Sequence, residues 1–185
     1  MFFLTAMIRV LKLDEEIFRE IQERNLALRY TTINFVAIAL IYSLTSIFLN
    51  PQLFEELSTI ELFLVQGLII GAGIFVVFII HFGAALLVWA FTRALGAHKP
   101  LSLVYTNTGV ALIPLWVAMP GLAAVQAGIA GAALFVFTIL ASAYVALTFF
   151  VATKSASGLS YLKMALVTLG LAIYLVSFLY LWMVQ

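Results

Sequence analysis

In 185 residues the chain carries 65% apolar and 9% charged side chains, against roughly 45–50% and about 25% in soluble globular domains. That balance excludes a soluble domain and leaves room for one membrane domain only. The formal net charge is +1 and cysteine is absent, so disulfides, thiol nucleophiles and thiolate metal sites are excluded too.

The opening residues, MFFLTAMIRVLKLDEE, lack a basic region ahead of their apolar residues and a long apolar run ending in a small-residue cleavage site. They read as mature sequence starting at Met1 or Met7. Residues 14–29 are the one strongly charged stretch. Asp14 suits a helix N-cap, with Glu15 and Glu16 in the first turn. Ile17, Phe18, Ile21 and Leu28 recur at helical spacing opposite Arg19, Glu20, Glu23 and Arg24, which predicts an amphipathic helix. Its charges nearly balance, so packing on the inner face of the domain suits it better than sensing lipid charge.

Five apolar runs follow, so the predicted fold class is an all-α integral membrane protein: a five-helix transmembrane bundle (31–185) with an N-terminal cytoplasmic amphipathic segment (1–30). The spans are 31–49, 62–92, 101–119, 122–153 and 161–184. Asn50-Pro51 closes the first. The second and fourth run about 31 residues, or roughly 46 Å as a helix, too short for two crossings and long for one. Lys99-Pro100 and Pro120-Gly121 bound the third. Tyr161 and Trp182 mark the two ends of the fifth as interfacial aromatics.

All nine Lys and Arg residues fall on one side of this arrangement. Arg9, Lys12, Arg19, Arg24 and Arg29 precede the first span, Arg93 and Lys99 lie between the second and third, and Lys154 and Lys163 flank the last turn. Glu55, Glu56 and Glu61 lie on the other side. Retained basic residues mark the cytoplasm, so the N-terminus is expected inside and the C-terminus outside.

No Asp, Glu, Lys or Arg lies deep in any span, and His81 is the one ionisable exception, roughly 16 Å from the inner boundary. Tyr42, Leu112, Ser142 and Ala172 are expected at its depth. Pro114 cannot donate to the carbonyl of Val110, so Ser142, Tyr42 or that carbonyl is the expected partner of a neutral His81. Tyr105, Thr106, Asn107 and Thr108 form the densest polar turn, either a cavity open to the cytoplasm or interhelical glue. His81, Tyr105, Asn107, Thr108 and Ser142 are thus the candidate intramembrane polar cluster. Arg93, His98 and Lys99 on the inner loop are candidates for lipid headgroup or partner contacts, or serve only as the charges that set the topology. Small residues at Gly67, Gly71 and Gly73, and at Ala124, Gly128, Gly131 and Ala132, predict close packing of the second and fourth spans, or a dimer interface. Gly67, Gly71, Gly128 and Gly131 carry that expectation.

The sequence holds no zinc-binding HExxH, phosphate-binding loop, paired carboxylates or Ser-His-acid arrangement, and no catalytic, cofactor or metal site is expected. The charged segment LDEEIFREIQERNLAL, the five spans, the turn Leu95-Gly96 and the stretch Tyr105, Gly109, Ala111, Leu112 and Pro114 resemble prokaryotic members of the Yip-domain family. The resemblance covers about residues 8–185. It departs from the family in lacking the acidic-Leu-Tyr-Gly-Pro motif and the long cytoplasmic N-terminus of the eukaryotic members that interact with Rab-type GTPases. It implies a non-enzymatic protein that organises membranes or recruits partners. The expected partners are the lipid bilayer and other membrane proteins or further copies of the chain, with no nucleic acid. The alternative is a small permease or channel with a polar path beside the third span.

Overall fold

The computed structural model describes the backbone of residues 2–183, and side chains except those of residues 175, 178, 179 and 181–183. The expectation for Trp182 lies outside the described side chains, and Met1 outside the described residues. The chain is all-helical: α1 (Phe2–Leu11), α2 (Glu16–Glu23), α3 (Ala27–Leu49), a 3-10 turn (Pro51–Phe54), α4 (Thr59–Ala94), α5 (Leu101–Val110), α6 (Leu115–Gln126), α7 (Ala132–Ser157) and α8 (Tyr161–Met183), with no strand among the described residues. Three helices (α3, α4 and α7) are long and apolar enough to cross a membrane, and α5 with α6 makes a fourth if the bent pair is one crossing. The chain is an integral membrane protein. The outward faces are what lipid requires: Phe48, Phe63, Leu68, Phe75 and Leu162 are all exposed.

The elements start and stop for local reasons. Ser58 and Glu61 form a reciprocal capping box that opens α4, with the Ser58 amide donating to Glu61 at 2.9 Å. At the far end of α4, Gly96 takes a φ of +101°, letting its amide and that of Ala97 turn back onto Arg93 and Thr92 and close the helix. Asn25, at φ +56°, ends α2 in the same way. The amphipathic helix therefore stops at Glu23, and Leu28 belongs to α3, where it is exposed and not on the buried face of Ile17, Phe18 and Ile21. Asp14 is not the N-cap; Glu15 is, although Asp14 accepts the Glu16 amide at 3.0 Å. The helix α1, absent from the sequence expectation, buries Ala6, Met7 and Val10.

The expected third and fourth spans divide differently. The third is broken: α5 and α6 meet at 74° across a turn at 111–114. Pro114 has no N–H for the Val110 carbonyl and its ring crowds that oxygen, so the helix stops and restarts after the proline. Pro120 lies inside α6 and ends nothing. Residues 122–126 belong to α6, not to the fourth span. Gly128, at φ +72°, returns its amide and that of Ile129 to Val125 and Ala124, and α7 begins only at Ala132.

Contacts along α3 advance steadily over this pair. Thr31 meets Thr106 and Gly109, Asn34 meets Gly109 and Val110, and Tyr42 bonds Gln126. Along α7, running the opposite way, Thr148 meets Ala111 and Thr138 meets Gly121. Every basic residue lies at one end of the bundle, the basic end. Lys163 Nζ reaches the Leu95 carbonyl at 2.6 Å, and the Trp89 indole donates to the Lys99 carbonyl at 3.0 Å. The core centres on Phe35, Ile38, Val88, Val104, Phe149 and Met164, joined at the basic end by a second cluster that includes Val10, Phe18, Ile21 and Ala152.

Candidate functional site at the basic end of the bundle

The break between α5 and α6 is fully buried: Ala111, Leu112, Ile113 and Pro114 are all inside. A buried carbonyl without a donor is costly in lipid, so the freed oxygens need side-chain partners. Asn34 Nδ2 on α3 donates to both Gly109 and Val110 carbonyls at 3.1 Å. Thr148 on α7 donates to the Ala111 carbonyl at 2.9 Å. Thr31 donates to the Thr106 carbonyl at 2.9 Å, and Gly109 has no Cβ that would meet its side chain. Asn34 is wholly buried, and its Oδ1 has no partner among the described residues. The sequence reading passed over Asn34, Thr31 and Thr148; a lone Asn within an apolar span was the available signal.

His81 on α4 is 3% exposed and its Nε2 lies 3.0 Å from the Tyr105 carbonyl and 3.4 Å from Thr108 Oγ1. Bonding to a carbonyl requires a proton on Nε2, with the other ring nitrogen bare in the neutral form. The rings of Phe35 and Tyr105 close over it at centroid distances of 4.7 and 4.9 Å. The expected partners are corrected. Val110 is served by Asn34, Tyr42 bonds Gln126, and no described hydrogen bond joins Ser142 to His81. The reason is register: Lys99 returns to the level of Trp89 and brings Tyr105, not Leu112, beside His81.

The predicted cluster therefore splits. Tyr105 and Thr108 lie against His81 on α4, while Asn107 faces the opposite way, toward α2, where Gln22 donates to both Asn107 Oδ1 and Thr106 Oγ1 at 2.7 Å. Asn107 is 3% exposed.

The helices α1 and α2 are clamped over this end of the bundle. Arg9 bridges Asp14 at 2.6 Å and Glu20 at 2.5 Å, Arg24 pairs with Glu20 at 2.9 Å, and Lys154 reaches from α7 to Glu15 at 2.6 Å. Hydrogen bonding to Arg9 holds the Asp14 carboxyl below the ordinary carboxylate range, and Asp14 in turn raises the Arg9 guanidinium. Tyr144 adds a bond to the Leu11 carbonyl, and Ile17, Phe18 and Ile21 are buried beneath.

Between α2, α5 and α7 lies an open cleft of about 510 Å³ lined by Glu15, Glu16, Arg19, Gln22, Lys99, Leu103, Asn107, Ser155 and Ala156. A second groove of about 370 Å³ adjoins it, sharing Gln22 and Leu103 and adding Ala27, Leu28, Pro100 and Thr106. Of the loop candidates, only Lys99 lines the cleft. Arg93 lies over the Trp89 ring at 5.3 Å and His98 is exposed.

The expected glycine faces are not packed within the chain. A Cβ at Gly67, Gly71, Gly128 or Gly131 would meet nothing within 4 Å. Gly128 serves as a helix stop, and small residues do close-packing work instead at Gly73 against Ser43, Gly109 against Thr31 and Gly121 against Thr138. Among the described residues no group of three His, Cys, Asp or Glu side chains stands close enough to hold a metal ion. No family model, no curated protein and no solved structure matches this chain.

Proposed function

We propose that this chain is a non-enzymatic multi-pass membrane protein that works through its basic end, as a scaffold or accessory subunit in membrane organisation or partner recruitment. The observation that carries this reading is the folded cap. Arg9 ties α1 to Asp14 and Glu20, while the Lys154–Glu15 ion pair, the Gln22 bonds to Thr106 and Asn107 and a buried apolar face hold α2 against the bundle. A flexible tether needs no such clamp, whereas a surface presented to a partner does. The steady advance of contacts along α3 and α7 supports one crossing for α5 with α6, and thus five crossings with the basic end in the cytoplasm of a prokaryotic cell. The Yip-domain resemblance fits the same assignment.

Blue-native electrophoresis of the tagged protein in mild detergent tests it. The expected result is self-association or co-migration with a larger membrane assembly, weakened by Lys154→Gln with Arg9→Gln. A monomer under all mild conditions contradicts it. A second reading, a small permease, is favoured by the 74° break in the third crossing, since broken helices line substrate paths in transporters. Against it, side chains already engage the carbonyls of Gly109, Val110 and Ala111. Flux of a small solute in proteoliposomes above the empty-liposome rate would favour the permease; the scaffold predicts none.

A further inference from the structure

We propose that the cleft between α2, α5 and α7 binds the headgroup of phosphatidylethanolamine. The inference does not depend on the scaffold reading, only on the chain's place in a membrane. The cleft falls within the range of about 300–1,000 Å³ typical of small-molecule sites. Its charges match a zwitterion. Glu15 is neutralised by Lys154 at 2.6 Å, which leaves two cations and one carboxylate. Lys99 forms no ion pair among the described residues, Arg19 has only a 3.8 Å pairing with Glu23 on the exposed surface, and Glu16 has no cationic partner among them.

Asn107 adds a built element. It is 97% buried (3% exposed), lines the cleft, and commits its Oδ1 to Gln22, while its Nδ2 has no acceptor among the described residues. Its N–H groups are open to the cleft, where a phosphate oxygen can accept from them. Lys99, Arg19 and Asn107 thus form the phosphate side, and the Glu16 carboxylate accepts from the primary ammonium.

Two features select the lipid. No aromatic residue lines the cleft, so the cage that recognises choline is missing, whereas an ethanolamine ammonium has N–H groups for Glu16. The adjoining groove, polar at Gln22, Asn25, Ser102 and Thr106 and apolar at Leu103, Pro100 and Leu28, ends at the exposed Leu28 and gives the glycerol and the first acyl carbons a path out of the cleft.

Native mass spectrometry of the full-length protein in detergent tests the assignment, with palmitoyl-oleoyl phosphatidylethanolamine, the matching phosphatidylcholine and phosphatidylglycerol, and soluble glycerophosphoethanolamine as probes. Phosphatidylethanolamine should bind roughly tenfold more tightly than phosphatidylcholine, the scale of one charge-assisted hydrogen bond. Glu16→Gln should erase that difference, and Lys99→Gln with Arg19→Gln should weaken both lipids. Glu16, Arg19 and Lys99 are exposed, so these variants keep the fold. Equal binding of phosphatidylethanolamine and phosphatidylcholine, tighter binding of phosphatidylglycerol, equal affinity for the soluble headgroup, or no effect of Glu16→Gln would each overturn the proposal.

Discussion

Asn34 is the residue on which the break between α5 and α6 turns. Its side chain replaces the donor that Pro114 lacks, serving two buried carbonyls at 3.1 Å. Asn34→Leu should cost about 1–3 kcal/mol in a reversible unfolding titration, the scale of leaving buried acceptors unpaired. Losing the unpartnered Oδ1 offsets part of that cost. Asn34→Asp should cost more than Asn34→Leu, because it removes the donors and leaves an unpaired charge beside the same carbonyls. No loss of stability in Asn34→Leu would contradict the donor role. Glycines give a second contrast. Gly109→Ala puts a methyl into Thr31 and should destabilise by about 1–3 kcal/mol, whereas Gly67→Ala meets open space and should be neutral or slightly stabilising. Thermal stability of the two variants side by side checks this. A loss of stability in Gly67→Ala would mean that a second copy covers that face.

At the scale of elements, what was legible depended on whether one local signal competed with another. The closing Asn50-Pro51 pair and the burial of His81 followed from the sequence, and the structure agrees on both. The break at 111–114 did not, because a proline within an apolar run is compatible with a kinked single span until its carbonyls find donors elsewhere. Those donors, Asn34 and Thr148, lie 76 and 37 residues away from the carbonyls they serve. Gly128 had two meanings as well: a small packing residue or a helix stop, and only its φ of +72° decides. The cap of α1 and α2 has its own pH dependence. Asp14 is held below the ordinary carboxylate value of about 4, so its contribution is present above that value and is lost as pH falls through the lower, folded one. Arg9 is raised above its ordinary value, so its contribution persists throughout the acidic and neutral range. Hydrogen exchange in Phe2–Leu11 and Glu16–Glu23, corrected for intrinsic rates, should be constant from pH 5 to pH 9, on the scale of those values, and rise only below about pH 4. Loosening near pH 6 would show that some other group holds the cap.

At the scale of the whole molecule, the charge asymmetry and the contact order make one claim. The proposed topology has the chain cross the membrane five times, the third time through a broken helix, with its capped basic end in the cytoplasm. The absence of native cysteine makes this directly measurable. Single cysteines at Ser58, Ile129, His98 and Ser160 lie in the connections between helices, and a membrane-impermeant thiol reagent applied to intact cells reads the side each one occupies. Labelling of Ser58→Cys and Ile129→Cys from outside, with His98→Cys and Ser160→Cys protected until the cells are permeabilised, is the predicted result. Protection of Ile129→Cys together with His98→Cys would make α5 and α6 a re-entrant pair and contradict the five-crossing account.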